Sequence, residues 1–314
     1  MSNYFDNKAR NKYVDYPVKE EMELMPFLQK YVGGSRTKIK ELLSQRMVYV
    51  DKVQTTQFNA PLKPGQLVQI ANKRHKHDFR NKWVKIVYED AFIIVVEKAP
   101  GILSTTQPGS RALTVKDILN EYVQRTNRTF SVHSIHRLDR ETSGLLLFAK
   151  RRDVQQMFTD NWKELVTDRR YVAVVQGYME KDAGDVCSWL TDSKMYVTYS
   201  SPVDNGGKYA VTHYKTIKRA NGFSLMELKL DTGRKNQIRV HMQDLKHPVV
   251  GDFKYGSTDA EYGEAADAAG RMCLHAYLLE FTHPITHEHL KFETPYPAVF
   301  RELVSKKRMD NIEA

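Results

Sequence analysis

Apolar residues at Leu24, Phe27, Leu28 and Tyr31 recur three and four apart, which predicts an amphipathic helix near the N-terminus. Gly33-Gly34 ends it, and Ser35 is a good N-cap for a second helix. That helix sets Ile39, Leu42 and Leu43 on one side and Arg36 and Lys40 on another. Val48–Val50 and Leu67–Ile70 read as short strands, with Pro64-Gly65 as a turn between them. Upstream, residues 1–20 are polar and aperiodic and read as a loose arm. Downstream, residues 72–82 are a basic run with one acid and one aromatic, which cannot build a core and reads as a linker, either a solvated spacer or a phosphate contact.

From Trp83 onward the pattern changes. Val84, Ile86 and Tyr88 alternate as a half-buried strand, and residues 92–96 form an apolar run that suits a buried one. Val115, Ile118, Leu119, Tyr122 and Val123 mark one amphipathic helix. Val154, Met157, Phe158, Trp162 and Leu165 mark another. Residues 145–149, 171–175, 211–217 and 223–230 read as strands, without a regular βαβ alternation. The expected fold class is therefore α+β, with a mixed, largely antiparallel sheet. The domain reading is an arm at 1–20, a small α/β domain at 21–71, a linker at 72–82 and a large domain at 83–314.

Composition narrows the function. The 314 residues carry 48 Lys and Arg against 38 Asp and Glu, a formal net charge of +10. That surplus suits a polyanionic partner, either nucleic acid or an anionic membrane surface, though charge also simply keeps a protein soluble. No apolar run reaches the roughly 18 residues of a membrane span, and the N-terminus lacks the pattern of a secretory signal. The two cysteines, Cys187 and Cys273, read as reduced core thiols of a cytosolic protein. No CxxC or HExxH pattern offers a zinc site, and the cluster His283, His287 and His289 reads as a solvated hairpin loop, so no metal ligands are expected.

The chemistry concentrates in His136-Arg137-Leu138-Asp139-Arg140-Glu141-Thr142-Ser143-Gly144, a charged loop feeding an apolar strand. Guanidinium neighbours hold an acid there in its charged form. Alone, the loop would read as a surface salt-bridge cluster. Two further segments stand with it: 169–177, which opens with Tyr171 at the head of an apolar strand, and 232–242, a charged turn entering a helix.

Together these segments resemble the Rlu-type RNA pseudouridine synthases. HRLDRETSGLLLFAK is similar to the catalytic motif of that family and RRYVAVVQG to its tyrosine strand. GKYAVTHYK, TGRKNQIRVHM, KHPVVGDFKYG and RMCLHAYLLEFTHP follow in the family's order, so the resemblance spans nearly the whole chain. Residues 24–70 are similar to the alpha-L RNA-binding motif that many of these enzymes carry first.

The resemblance implies isomerisation of uridine in RNA, ribosomal RNA of the large subunit foremost and transfer RNA as the other candidate. It implies a cytoplasmic, monomeric enzyme with no cofactor and no membrane. Asp139 would be the catalytic carboxylate, Arg239 its bidentate partner, and Tyr171 the ring stacked on the target base. Ile238 would wall the pocket, Arg137 would hold the RNA in its flipped state, and Arg140, Arg36, Lys38 and Lys40 would touch RNA. A uridine inside folded RNA must be flipped into a pocket to be reached, and an ionised carboxylate can then attack at the sugar or at the base. Asn236 stands where many relatives have histidine, and Arg169 where many have lysine. Two rival classes stay in view. One is an RNA-binding factor that has kept the fold, and the other an RNA hydrolase using Asp139 with Glu141.

Overall fold

The computed structural model describes residues 13–44, 47–71, 79–106, 109, 111–125, 128–193, 197–256 and 260–305. The chain forms two compact units, one of residues 1–80 with 89–92 and 120–131, the other of 81–88, 93–119 and 132–314.

The first unit holds strands β1 (Tyr13–Pro17), β2 (Met22–Glu23), β3 (Val48–Val50), β4 (Val53–Gln54), β5 (Pro61–Leu62) and β6 (Leu67–Ala71). Its helices are α1 (Leu24–Phe27), which continues as a π-helical stretch from Leu28 to Val32, and α2 (Arg36–Ser44). Gly33 ends the first run at φ 77°, where a residue without a Cβ is unstrained. Ser35 Oγ accepts from the Lys38 N–H and caps α2 as expected. Leu24, Phe27, Leu28, Ile39, Leu43, Val48 and Val68 share one core.

One expectation fails here. Residues 13–17 of the expected loose arm form β1, which pairs antiparallel with β6 from Tyr13↔Ala71 to Pro17↔Leu67. Ladder hydrogen bonds and the edge of the Tyr13 ring on Tyr49 (5.3 Å) hold a polar segment that has no hydrophobic period of its own. Residues 1–12, and 72–78 of the expected linker, lie outside the described residues.

The second unit is built on strands β7 (Val84–Glu89), β8 (Ile93–Lys98), β9 (His133–Ser134), β10 (Ser143–Ala149), β11 (Val166–Gln176), β12 (Ala183–Asp192), β13 (Thr198–Ser201), β14 (Lys208–Ala220), β15 (Phe223–Leu230), β16 (Leu274–Thr282) and β17 (His289–Glu293). Helices α3 (Val115–Gln124), whose residues from 120 on belong to the first unit, α4 (Arg152–Asp160), α5 (Trp162–Leu165), α6 (Gln237–Asp244), α7 (Ala260–Ala269) and α8 (Ala298–Leu303) complete the described elements. The sheet order is β13-β12-β14-β15-β11-β16-β10-β8-β7, with β17 on β16 and β9 on β10. The fold is thus mixed α+β with a largely antiparallel sheet, as the pattern predicts. The β10–β16 pair runs parallel, Ser143 opposite His275 and Gly144 opposite Ala276. Gly144 sits at φ 118°, and a Cβ there would lie 2.2 Å from the Ala276 carbonyl oxygen, so the close strand approach demands glycine.

Buried strands read as continuous apolar runs: every residue of β10 is buried, as are Tyr171–Gln176 of β11. The helix expected over 154–165 is two helices, because the Asn161 amide and side chain both donate to the Met157 carbonyl and end the first. The histidine-rich turn does join β16 to β17, but His283 is fully buried, its Nδ1 accepting from the Ile285 and Thr286 amides. Cys273 is buried as expected, whereas Cys187 is exposed, on the side of β12 opposite the inward Ser188 and Leu190. Among the described residues no helix is long and apolar enough to cross a membrane.

Candidate active site

The loop that carries Asp139 runs between β9 and β10 and is held from below by backbone bonds. Ser104 Oγ donates to the Leu138 carbonyl and accepts from the Leu138 amide, clamping the residue beside Asp139. The Arg140 carbonyl accepts from the Gly101 amide and from Lys98 Nζ. Lys98 is fully buried, and its ammonium also donates to the carbonyls of Ala99 and Ile102. Burial pulls its pKa down to about 7, against the opposing pull of Glu141 and Asp139. At the head of the loop, His136 Nε2 accepts from the Leu147 amide, and burial drives its pKa down to about 3, so the ring is neutral.

The facing wall is the turn into α6. Gln237 is buried and spends its whole side chain on that turn: Oε1 accepts from Thr232 Oγ1 and the Arg234 amide, Nε2 donates to the Val211 carbonyl and Thr212 Oγ1. Asn236 precedes it at φ 54°, a left-handed conformation that asparagine tolerates. It is buried, its Nδ2 donating to Tyr255 Oη (3.0 Å) and its Oδ1 accepting from Arg239 Nη1 (3.0 Å). Asn236 is therefore an internal brace for Arg239.

Between these walls lies a cavity of about 490 Å³ lined by Arg137, Asp139, Tyr171, Ile238 and Arg239, with Trp162 and Arg169 among its other residues. Five of the expected site residues thus come together. Arg137 is exposed at the mouth, while Tyr171 and Ile238 are buried in the wall. Burial raises the Tyr171 pKa, so its hydroxyl keeps the proton through neutral pH. The Arg169 guanidinium lies 4.9 Å from the centre of the Trp162 ring, an arrangement lysine does not reproduce as a flat stack. Arg140 is exposed and does not line the cavity. Arg36, Lys38 and Lys40 are exposed on α2 in the other unit.

The expected bidentate Arg239–Asp139 pair is not what forms. Arg239 Nη1 reaches Asp139 Oδ2 only at 3.5 Å, a long contact. The bidentate partner is Asp252: Nε donates to Oδ2 at 2.6 Å and Nη2 to Oδ1 at 2.8 Å. Asp252 is buried, and its Oδ1 also accepts from the amides of Lys254 and Tyr255. Burial works against the Arg239 charge, but Asp252, joined by Asp139, more than offsets it, and the Arg239 pKa is raised. The guanidinium is locked from behind and presents one N–H to Asp139, which lines the cavity with a side-chain exposure of 22%. Sequence reasoning passes over Asp252 because nothing in KHPVVGDFKYG marks which of its polar residues turns inward.

Residues 92–244 match the family model described as RNA pseudouridylate synthase. A ribosomal large subunit pseudouridine synthase D of Nitrosomonas europaea is 30% identical over 84% of this chain and 77% of that protein. An RNA pseudouridine synthase of Bacillus subtilis is 34% identical over 70% of this chain and 75% of its own length. Among solved structures, human RNA Pseudouridylate Synthase Domain Containing 1 superposes with a TM-score of 0.54 at 25% identity, over 68% of this chain and 83% of that one. A loop-borne carboxylate in a cavity with an aromatic wall is the arrangement the resemblance implies, and the shared sequence extends well beyond it. The chain belongs to the RNA pseudouridine synthase family.

Proposed function

We propose that this protein converts chosen uridines of large-subunit ribosomal RNA to pseudouridine, with Asp139 as the nucleophile. The observation that carries the reading is the part-exposed Asp139 carboxylate in a cavity whose Arg239 is held bidentately by a different acid. Relatives from Nitrosomonas europaea, Neisseria meningitidis and Pasteurella multocida bear the name ribosomal large subunit pseudouridine synthase D, which supports the ribosomal target. The flipped uridine stacks on Tyr171, Ile238 packs against its edge, and Arg137 holds the displaced strand. Asp139 bonds to the sugar C1′ or the base C6, the C1′–N1 bond breaks, the base turns and C5 bonds to C1′, the bond to Asp139 breaks, and C5 loses a proton as N1 gains one. Substrate and product have the same atoms and oxidation state, so the reaction needs no net oxidant or reductant, and in this proposal the enzyme acts without a cofactor, as a cytoplasmic monomer. Pseudouridine mapping of ribosomal and transfer RNA from cells with and without the gene is expected to lose one or a few large-subunit sites. Loss confined to transfer RNA would overturn the ribosomal reading.

Tyr171→Phe keeps the ring face, so RNA affinity is expected to change little, whereas Tyr171→Ala is expected to lose about 1–3 kcal/mol of stacking. Equal binding by the Ala variant and the parent, in a titration with target RNA, would remove Tyr171 from the substrate wall.

Residues 21–71 serve in this proposal as an RNA-binding domain of the alpha-L type, touching phosphates through Arg36, Lys38 and Lys40. The three side chains are exposed on α2 while Ile39 between them is buried, so they project from a fixed helix. Replacing all three by alanine is expected to lower the salt dependence of RNA binding by about 0.7 in log–log slope for each phosphate no longer neutralised. Turnover at saturating RNA is expected to hold. A folded triple variant that is inactive at saturation would place this helix in the chemistry instead.

A further inference from the structure

A second concavity, of about 470 Å³, shares no lining residue with the catalytic cavity. It lies between the start of β7, the segment before β16 and the turn into α8, and its lining includes Lys82, Trp83, Arg271, Tyr296 and Arg301. With Lys85 and the buried Lys98 it gathers five cations around a single acid, Glu97, which lies 3.5 Å from Lys85. Lys98 turns its charge inward onto three carbonyls, Lys82 Nζ lies 4.8 Å from the centre of the Trp83 ring, and Arg301 is exposed in the lining beside Arg271.

Arg271 is the informative residue. Its guanidinium is half-buried, and its hydrogen-bond partners among the described residues are all neutral, Ser143 Oγ at 2.5 Å and the carbonyls of Met272 and Leu274, while Glu141 acts on it only through space. A relay behind it holds Ser143 in an accepting pose. Ser143 donates to His275 Nδ1 (2.6 Å), His275 Nε2 donates to Thr294 Oγ1 (2.9 Å), and Thr294 donates to the Tyr277 carbonyl. Burial keeps His275 neutral, as this relay requires, and its pKa falls to about 3. The Phe300 ring, 5.3 Å away, supports the guanidinium from the side. A half-buried guanidinium that hydrogen-bonds no carboxylate, with Glu141 acting on it only through space, has charge to offer an anion arriving in the cleft. Half-buried Trp83 offers a ring at the same opening, its far edge packed against Gly101.

We propose that this cleft is a second RNA-binding site, in which Arg271, Lys82 and Arg301 take a phosphodiester and Trp83 the adjoining base. It rests on the reading that the substrate is RNA. Thr142 lines the catalytic cavity and Ser143 the cleft, so the two sites flank one strand end. RNA that extends past the target nucleotide can therefore occupy both, and a phosphate contact here adds affinity and placement without touching the chemistry.

The test uses the full chain with Lys82→Glu and Arg301→Glu combined, both exposed positions outside the catalytic cavity. Binding is titrated across a salt series with a long structured RNA containing the target uridine and with a short hairpin carrying only the target loop. For the long RNA, a weaker affinity is expected, with the log–log salt slope reduced by about 0.7 for each phosphate the variant leaves unpaired. Affinity for the hairpin, and turnover at saturation, are expected to match the parent. Unchanged slope and affinity for the long RNA, in a variant that melts like the parent, would overturn the site. So would displacement by inorganic phosphate or uridine monophosphate that the variant abolishes while long-RNA binding stays intact, because the cleft would then hold a free anion. If the parent binds the long RNA through this cleft yet isomerises no uridine, the cleft stands and the proposed activity falls.

Discussion

An Asp139→Asn protein is expected to fold, bind RNA and form no pseudouridine. Asparagine has the size of aspartate but no charge and little nucleophilicity, so a covalent step at uridine stops. The neighbouring frame does not depend on the carboxylate. Leu138 is clamped by Ser104, and the Arg140 carbonyl is held by Gly101 and Lys98. Arg239 keeps its bidentate bond to Asp252 when the 3.5 Å approach to Asp139 is weakened. The contact is long and its loss leaves Arg239 bidentate on Asp252, so the melting temperature is expected to stay close to the parent's. RNA affinity is expected to hold or rise, because a negative charge has been removed from a groove that receives phosphates. Glu141→Gln is the control. Glu141 follows Asp139 by two residues but does not line the cavity, and its expected activity is that of the parent. The measurement is pseudouridine formed per enzyme at saturating RNA on both folded variants. Turnover by Asp139→Asn would remove it as the nucleophile, and strand cleavage that Glu141→Gln abolishes would favour the hydrolase.

The parts of this molecule legible in the sequence are those in which neighbours in the chain are neighbours in space. The strand expected at Phe223–Leu230 has that span in the fold, as β15, because an apolar run bounded by turn residues is a local signal. Asp139, Tyr171 and Ile238 are picked out by the resemblance of their segments to the family's motifs, each a charged loop or turn running into apolar structure. What the sequence hides depends on distant partners. β1 exists because β6 supplies its ladder, and no residue of 13–17 announces that. Cys187 and Ser188 differ in burial only because α6 covers one side of β12, where His241 Nε2 meets Ser188 Oγ at 3.0 Å. Nothing in the sequence shows what Asn236 does. In the fold it is an internal brace, because its role is set by Tyr255, 19 residues away, and by Arg239. The choice of ion-pair partner is the least legible feature. Both Asp139 and Asp252 are acids in segments of the family's order, and only the fold tells which one lies flat against the guanidinium.

That choice of partner carries the largest expected effect on stability. Asp252→Ala is expected to cost about 3–5 kcal/mol, because it leaves a buried guanidinium without its bidentate acid. Arg239 has a side-chain exposure of 12% and Asp252 of 0%, so water cannot compensate. The same change removes an acceptor for the Lys254 and Tyr255 amides and frees the turn that holds Tyr255 against Asn236. Asp139 is then the nearest remaining acid, and Arg239 is expected to close onto it, tying up the oxygens that must meet uridine. Turnover at saturating RNA should therefore fall further than RNA affinity does, a split that plain loss of folded protein does not produce. Asp252 acts here as a positioning residue. A double variant, Arg239→Met with Asp252→Leu, separates the two consequences. With no buried charge left unpaired, its stability is expected to recover towards the parent, since replacing a buried ion pair by apolar residues is often neutral. Its activity is expected to stay low, because no cation faces Asp139. Melting curves and single-turnover rates on parent, single and double variants complete the cycle, and contacting residues of this kind couple by about 0.5–3 kcal/mol. An Asp252→Ala protein that melts with the parent would show that the guanidinium is held by Asp139 and Asn236 instead. Recovery of full turnover in the double variant would show that Arg239 has no part in presenting the nucleophile.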